Sequence, residues 1–401
     1  MPKVLQINSC ANWGSTGKIA EQINHMASTY GWETYIAYGR SYNPSQSQLI
    51  HVGGLFSQAI ALLEARLFDN DGLASYIATK QLIKTIKKLS PDIIHLHNLH
   101  GYYINYKLLF HFLNSTSIPV VWTLHDCWSF TGHCSHFVSA GCSKWMSECH
   151  NCPQKKAYPK SVWWDRSMRN YHLKRKLFCG KKELHLVPVS KWLAQNLKDS
   201  FFGNTDIRVI SNGIDLSVFR NKKISNTKYF TILAVATTWT KEKGLYDYYT
   251  LREKLDVNQY KIILVGLTKK QIGRLPEGIV GMGRTNSVDE LVSLYSSADV
   301  VMSLSKGETL ASTPLEGMAC GTPAIVYDNT AQPELITSDT GIVVEQGNTE
   351  MLVEAVLAIK ENGKNYYSDA CRFRVESFYN KEKQYMKYIA LYDQLCSEKS
   401  E

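Results

Sequence analysis

Nowhere in the 401-residue chain do about 18 apolar residues follow one another without interruption, and no short apolar core follows the opening MPKVLQINSC. The chain is therefore expected to be neither secreted nor membrane-spanning. It has no low-complexity tract and no repeat of roughly 20 to 50 residues, which disfavours solenoids and propellers. No acidic pair with DxD spacing stands at the end of a predicted strand, so no catalytic divalent ion is expected. Acid is scarce in one segment above all. Between residues 155 and 182 there are ten Lys or Arg and a single acid, Asp165, so these 28 residues hold the whole formal net charge of +9. One basic face is expected, not the uniformly basic surface of a nucleic-acid coat.

Hydrophobic content of 44% and charged content of 20% are ordinary for a globular protein, and the length allows two or three domains, each with its own core. Ten cysteines in a chain with no recognisable leader point to a reducing compartment, hence to thiols or metal ligands and not disulfides.

Short β-branched runs alternate with helical patterns: KVLQIN (3 to 8), ETYIAYG (33 to 39), DIIHLH (92 to 97), PVVWTL (119 to 124), HLVPV (185 to 189) and DIRVI (206 to 210). After the polar stretch NKKISNTK (221 to 228) the alternation restarts with YFTILAVA (229 to 236), YKIILVG (260 to 266), DVVMSLS (299 to 305), TPAIVY (322 to 327) and GIVV (341 to 344). Near-continuous apolar strands between amphipathic helices indicate parallel sheets covered on both faces. Two doubly wound α/β domains, divided near residue 221, would bind ligands at the carboxyl ends of their strands.

Three segments carry candidate chemistry. In SLSKGETLASTPLEGMACGTPAIV (303 to 326) a strand runs through a glycine turn into a helix, with Glu308 and Glu316 eight apart. Thr313, Pro314 and Glu316 fit a capping box with proline at the first helical position; equally, that helix N-terminus suits a phosphate, with carboxylates placed for sugar hydroxyls. The loop CANWGSTGK (10 to 18) departs from the P-loop pattern at Asn12 and Ile19. Gly14 and Gly17 there permit either a tight turn or a close backbone approach to a ligand. His125 ends the PVVWTL strand, where it is either a backbone-bonded histidine or a ligand contact, and Asp126 suits a turn cap.

Taken together these segments resemble glycosyltransferase family 4, the large group of retaining enzymes with the GT-B fold. The similarity rests on the spacing of Glu308 and Glu316, WGSTGKIAEQI near the amino terminus, TLHD (123 to 126), VPVSKWL (187 to 193) and VISNGIDLSVF (209 to 219), and it spans essentially the whole chain. It implies two Rossmann-like domains facing across a cleft: residues 1–220 on the acceptor side with an insert at about 127–182, residues 221–378 binding a nucleotide sugar, and a helix at 379–401 crossing back. By the same resemblance Glu316 holds the ribose, while Glu308 and the backbone of Leu310, Ala311 and Ser312 face the donor sugar and its phosphates. Gly14 and Gly17 lie beside the phosphates and the acceptor, and His125 meets the donor sugar when the domains close. The family's phosphate clamp is an arginine followed five residues later by a lysine. Lys243 matches the lysine, but Thr238 stands in place of the arginine, so Lys241 or another cation is needed. The donor would be UDP- or GDP-linked and the acceptor a lipid-linked oligosaccharide used in surface polysaccharide assembly, at the cytoplasmic face of the plasma membrane.

In HDCWSFTGHCSHFVSAGCSKWMSECHNCPQ (125 to 154), Cys134, Cys142, Cys149 and Cys152 have the spacing C-x7-C-x6-C-x2-C, which ends in the knuckle of a tetrahedral structural zinc. His133, His136 and His150 are alternative ligands, and free thiols remain open. An insert with few apolar residues of its own would need such a staple. In the basic segment Tyr158, Trp163, Trp164, Tyr171 and Phe178 alternate with cations. That suits anionic lipid headgroups, RNA or a solvated helix face; given the resemblance, lipid is expected and nucleic acid is not. LFSQAIALLEARLF (55 to 68) is a second candidate membrane contact or a core helix. The rivals are a zinc-stapled nucleic-acid-binding protein, and a GT-B phosphorylase or sugar-nucleotide epimerase.

Overall fold

A computed structural model describes residues 1–222 and 228–398; the predicted polar linker, 221 to 228, thus lies mostly outside the described residues. The chain divides into two compact units, Met1–Ile210 with the chain from Tyr385 onward, and Ser211–Gln384.

The first unit carries the strands β1 (Lys3–Asn8), β2 (Glu33–Tyr38), β3 (Gln48–His51), β4 (Ile93–Leu96), β5 (Val120–Leu124), β6 (Leu184–Pro188) and β7 (Asp206–Ile207). They form one parallel sheet in the order β3-β2-β1-β4-β5-β6-β7. Its helices are α1 (Gly14–Thr29), α2 (Leu55–Phe68), α3 (Tyr76–Leu89), α4 (Tyr106–Leu113), α5 (Ser167–Phe178) and α6 (Lys191–Asp199). The second unit carries β8 (Phe230–Val235), β9 (Tyr260–Val265), β10 (Ile279–Met282), β11 (Val300–Ser303), β12 (Ala324–Tyr327) and β13 (Gly341–Val344), again parallel, in the order β10-β9-β8-β11-β12-β13. Around them stand α7 (Leu245–Lys254), α8 (Lys269–Ile272), α9 (Val288–Ser297), α10 (Ser312–Ala319), α11 (Thr349–Asn362) and α12 (Lys364–Phe378), followed by α13 (Lys381–Glu398).

The apolar runs explain the sheets. In β4, β5 and β12 every residue is buried, as expected for strands covered on both faces. The two strands that the apolar pattern misses, β3 and β10, are short edge strands with few buried positions, so they lack the continuous run that marks the others. Several helices start where a polar side chain caps them: Asn105 accepts from Leu108 N–H, Ser190 from Leu193, Ser287 from Glu290 and Asn348 from Met351.

The first unit's core combines an apolar layer on its central strands with buried polar side chains. Val4, Ile23, Trp32 and Ile93 pack with Tyr385, Tyr388, Ile389, Tyr392 and Leu395 of α13. Through this layer runs a hydrogen-bonded chain. His95 on β4 meets Thr123 Oγ1 through Nε2 at 2.7 Å and Tyr392 Oη through Nδ1 at 2.5 Å, and Thr123 meets Tyr388 Oη at 2.8 Å. Each buried polar atom left unpaired costs about 1–3 kcal/mol, so the chain tolerates no missing member.

Burial pulls the His95 pKa down to about 3, whereas in an unfolded chain an imidazole takes up its proton near about 6.5. Between those values the unfolded state binds the extra proton, and stability falls as pH drops through the window. The stability gap between wild type and His95→Asn, read by urea unfolding, is expected to narrow by about 2.7 kcal/mol from pH 7 to pH 4.5. A gap that ignores pH would mean that folded His95 titrates normally.

Candidate functional site

In the second unit the strand order reverses between β8 and β11, and an open parallel sheet leaves a crevice at such a point, beyond its carboxyl ends. Lys243 stands in the loop after β8 and Glu308 in the loop after β11, and their ammonium and carboxylate form an ion pair. The two loops are tied together. Lys306 N–H donates to Glu242 O at 2.7 Å. Gly244 has φ +73°, and a Cβ there would lie 2.2 Å from Leu304 O, so only glycine permits this approach. Glu308 N–H donates to Thr330 Oγ1 at 3.0 Å.

Helix α10 follows directly, and here the capping-box expectation is corrected. The helix starts at Ser312 after Ala311, which supplies no side-chain cap, so Thr313 and Pro314 lie inside the first turn. Glu316 instead accepts from Tyr295 Oη of α9 at 2.7 Å. An uncapped helix N-terminus offers N–H donors and the positive end of the helix dipole to an anion. Leu310 is part-buried, Ala311 buried and Ser312 exposed, while Thr238 is exposed in the loop after β8. Lys306, whose ammonium is 3.8 Å from Asp247 Oδ2, is a further cation in these loops, beside Lys241.

The first sheet reverses its order between β1 and β4. The segment read as a glycine loop, 10 to 18, follows β1 but from Gly14 onward is the first turn of α1, a correction to that reading; His97 to His100 follow β4, and His125 follows β5. Gly14 has φ +63° and open space where a Cβ would sit. Gly17 is different: a Cβ there would meet Asn12 N and Cys10 O at 3.2 Å, so the close approach expected toward a ligand is made to the chain's own loop. His125 Nε2 lies 3.0 Å from His97 Nδ1, and burial lowers its pKa to about 4. Asp126 accepts Trp128 N–H at 2.9 Å, as a turn cap does, and also pairs with His100 Nε2 at 2.7 Å. Burial opposes its ionisation, but His100 and the Trp128 N–H outweigh that and bring its pKa to about 2.

Cys134, Cys142, Cys149 and Cys152 line one small cavity with His133 and His150. All four are free thiols, and among the described residues no three His, Cys, Asp or Glu already form a group able to hold a metal. Asn151, inside the knuckle, has φ +42°, and the N–H groups of Gly132 and Gln154 are directed at the sulfurs of Cys149 and Cys152. The insert is less poor in apolar residues than its sequence suggests. Phe130, Phe137 and Trp145 are buried, with Trp145 ring centroids 5.1 and 4.7 Å from the two phenylalanines.

The basic segment needs a larger correction. Lys174 is buried; its ammonium donates to Trp128 O at 2.6 Å and Thr131 O at 3.0 Å, and burial lowers its pKa to about 7. Lys181 is buried too, paired with Glu183 and donating to Thr116 O at 2.7 Å. Tyr171 and Phe178 belong to the core, so the aromatics exposed in the segment are Tyr158, Trp163 and Trp164. Spacing on α5 explains the split, because Tyr171, Lys174 and Phe178 share the buried face while Arg175 and Lys176 point outward. By contrast α2 buries only Ala61 and Ala65 and exposes Leu55 (86%), Phe56 (81%), Ile60 and Leu63. No helix among the described residues is long and apolar enough to cross a membrane.

Tyr295, Thr330, Lys306, His97 and Gln6 are site neighbours that sequence reasoning missed. Three histidines within six residues, His95, His97 and His100, were a readable signal for one of them; Tyr295 and Thr330 had none.

Known proteins resemble this chain in sequence and in fold. The profile of Glycosyltransferase Family 4 matches residues 31–218, and that of Glycosyl transferases group 1 matches residues 217–371. WcaC of Escherichia coli (strain K12), assigned as a colanic acid biosynthesis glycosyl transferase, is 26% identical over 374 residues, 88% of this chain and 89% of that protein. Sucrose-phosphate synthase from Thermosynechococcus elongatus superposes with a TM-score of 0.74 at 15% identity, over 99% of this chain and 100% of that one. Anabaena HepE, solved in complex with UDP-glucose, gives 0.62 at 13% identity, over 97% and 99%. The fold is therefore GT-B.

Proposed function

Since the chain belongs to the glycosyltransferases of group 1 and family 4, we propose that this enzyme moves a sugar from a nucleotide-sugar donor to a saccharide acceptor in polysaccharide biosynthesis, with retention of anomeric configuration. The observation that carries the reading is the Lys243–Glu308 pair, joined at the reversal of the second sheet beside the uncapped start of α10. When the bond from the anomeric carbon to the diphosphate oxygen breaks, negative charge grows on the diphosphate. Lys243 and the N–H groups from Leu310 to Ser312 are the preorganised donors for that charge. Glu316, held by Tyr295, takes the ribose hydroxyls, and Glu308 faces the sugar. Lys306 or Lys241 supplies the cation missing at Thr238. The acceptor hydroxyl attacks the face that the diphosphate leaves, and its proton passes to the departing phosphate oxygen. The first turn of α1, Gly14 to Gly17, and His125 contribute from the first unit, His125 toward the sugar. The UDP-glucose complex of HepE supports a nucleotide-sugar donor, UDP- or GDP-linked.

The acceptor in this reading is a lipid-linked oligosaccharide, as WcaC's assignment to colanic acid biosynthesis suggests, at the inner face of the plasma membrane. Its docking surface combines the apolar face of α2 with Trp163, Trp164 and the outward cations Arg175 and Lys176. Lys174, interior, takes no part. Cys134, Cys142, Cys149 and Cys152 are assigned a structural zinc; their shared cavity and the N–H groups aimed at two of the sulfurs support it.

Four measurements test these statements. In a thermal-shift screen of sugar nucleotides, the true donor at about 100 times its dissociation constant should stabilise wild type by about 2.7 kcal/mol. Lys243→Ala or Glu308→Ala should lower turnover of that donor about 100-fold or more; intact turnover in both variants refutes the site. Phe56→Asp combined with Arg175→Glu and Lys176→Glu should reduce sedimentation with phosphatidylglycerol vesicles and leave donor affinity unchanged, and undiminished sedimentation removes the membrane face. Metal analysis of freshly reduced protein should find one zinc per chain in wild type and less in Cys149→Ser; metal-free wild type ends the zinc assignment.

A further inference from the structure

His125 is fixed in one protonation form by a chain of partners that begins on the far side of β1. Asn24 of α1 donates through Nδ2 to Tyr35 O at 3.2 Å and to Ser47 Oγ at 3.0 Å, which directs its Oδ1 the other way. That oxygen accepts from Gln6 Nε2 at 2.6 Å, and the same Gln6 nitrogen donates to Ala20 O at 2.9 Å. A main-chain carbonyl only accepts, so the atom facing Ala20 O is the amide nitrogen and the Gln6 oxygen points to His97. His97 Nε2 lies 2.6 Å from that oxygen and must carry the hydrogen. Burial keeps His97 neutral, so its Nδ1 has a lone pair. At 3.0 Å this Nδ1 faces His125 Nε2, which must then be the donor. The reverse arrangement would set the bare Nε2 of His97 against Gln6 Oε1, or turn the Gln6 amide so that its oxygen faced both Ala20 O and Asn24 Oδ1.

The rest of the surroundings holds the relay still. Trp122 Nε1 donates to His97 O at 2.8 Å, and His97 N–H donates to Ile7 O at 2.9 Å. The His97 ring stacks between His95 and His125, with centroids 4.2 and 5.3 Å away. Gln6, Asn24 and His97 are almost wholly buried, so water does not compete for these bonds.

We propose that Gln6 and His97 are positioning residues that hold His125 as the neutral Nε2–H tautomer, the form in which its ring is presented to the donor sugar. This inference rests on the reading that His125 meets the donor sugar, but the tautomer is measurable without turnover.

The test is nitrogen-15 NMR of histidine-labelled protein at pH 7.5, with the His125 signals assigned by their loss in His125→Asn. Wild type is expected to show a protonated Nε2 and a bare Nδ1 on His125. Gln6→Met, nearly isosteric, removes the acceptor for His97 and should mix or reverse the two His125 signals. His97→Leu should do the same, whereas His97→Asn, whose Oδ1 stands in for Nδ1, should restore the wild-type pattern. A protonated Nδ1 on wild-type His125, or an unchanged pattern in both Gln6→Met and His97→Leu, overturns the proposal. In parallel, His97→Leu should lower kcat/KM about tenfold or more on whichever of UDP-glucose, UDP-galactose or GDP-mannose wild type turns over, with His97→Asn recovering most of it. Full activity in His125→Ala would instead refute the reading on which the inference rests and leave the NMR result standing.

Discussion

The reversal of strand order in each parallel sheet is the constraint on which the rest of this protein depends. Where neighbouring strands send their crossovers in opposite directions, no helix covers the carboxyl ends between them, and the loops that start there face open space. In the second unit this happens between β8 and β11, and the loops after those strands hold Lys243 and Glu308. In the first unit it happens between β1 and β4, followed by the start of α1 at Gly14 and by His97. A glycosyltransferase of this family needs charged and donor groups from distant points of the chain, and parallel topology gathers them at one edge of each sheet.

A second constraint is the polarity inside the first unit. Gln6, Asn24, His95, His97 and Thr123 are all buried, although β1, β4 and β5 are otherwise apolar. Interior polar groups persist only when every donor finds an acceptor. Here two hydrogen-bonded chains do the pairing, one joining His95 and Thr123 to the tyrosines of α13 and closing the core, the other running from Asn24 of α1 through Gln6 and His97 to His125. Those two uses explain why histidines occupy strand positions where a branched aliphatic residue would pack more simply.

The region following TLHD shows how charge counted along a chain differs from charge on a surface. Ten cations lie between residues 155 and 182, but Lys174 serves as an interior hydrogen-bond donor beneath Trp128 and Lys181 as a partner of Glu183. The cations that remain outside share the molecule's exterior with Trp163 and Trp164 and with the apolar side chains of α2. A long lysine side chain serves either purpose, because its stem packs as well as an aliphatic residue while its head needs only two or three acceptors.

The amino-acid sequence alone determined the fold class and the order of most strands, because a strand buried on both faces must read as an unbroken apolar run and a covering helix as a 3.6-residue stripe. It also singled out the segments to which the proposed site is assigned, through the spacing of Glu308 and Glu316 and the placing of His125 and Lys243. Only the tertiary structure decided what those residues touch. Tyr295 behind Glu316, Thr330 beneath Glu308, His97 beside His125 and the interior place of Lys174 join residues 21 or more positions apart in the chain. Such contacts leave no periodicity in the sequence; they exist because hydrogen-bonding groups removed from water must find partners wherever the packed strands and helices bring them.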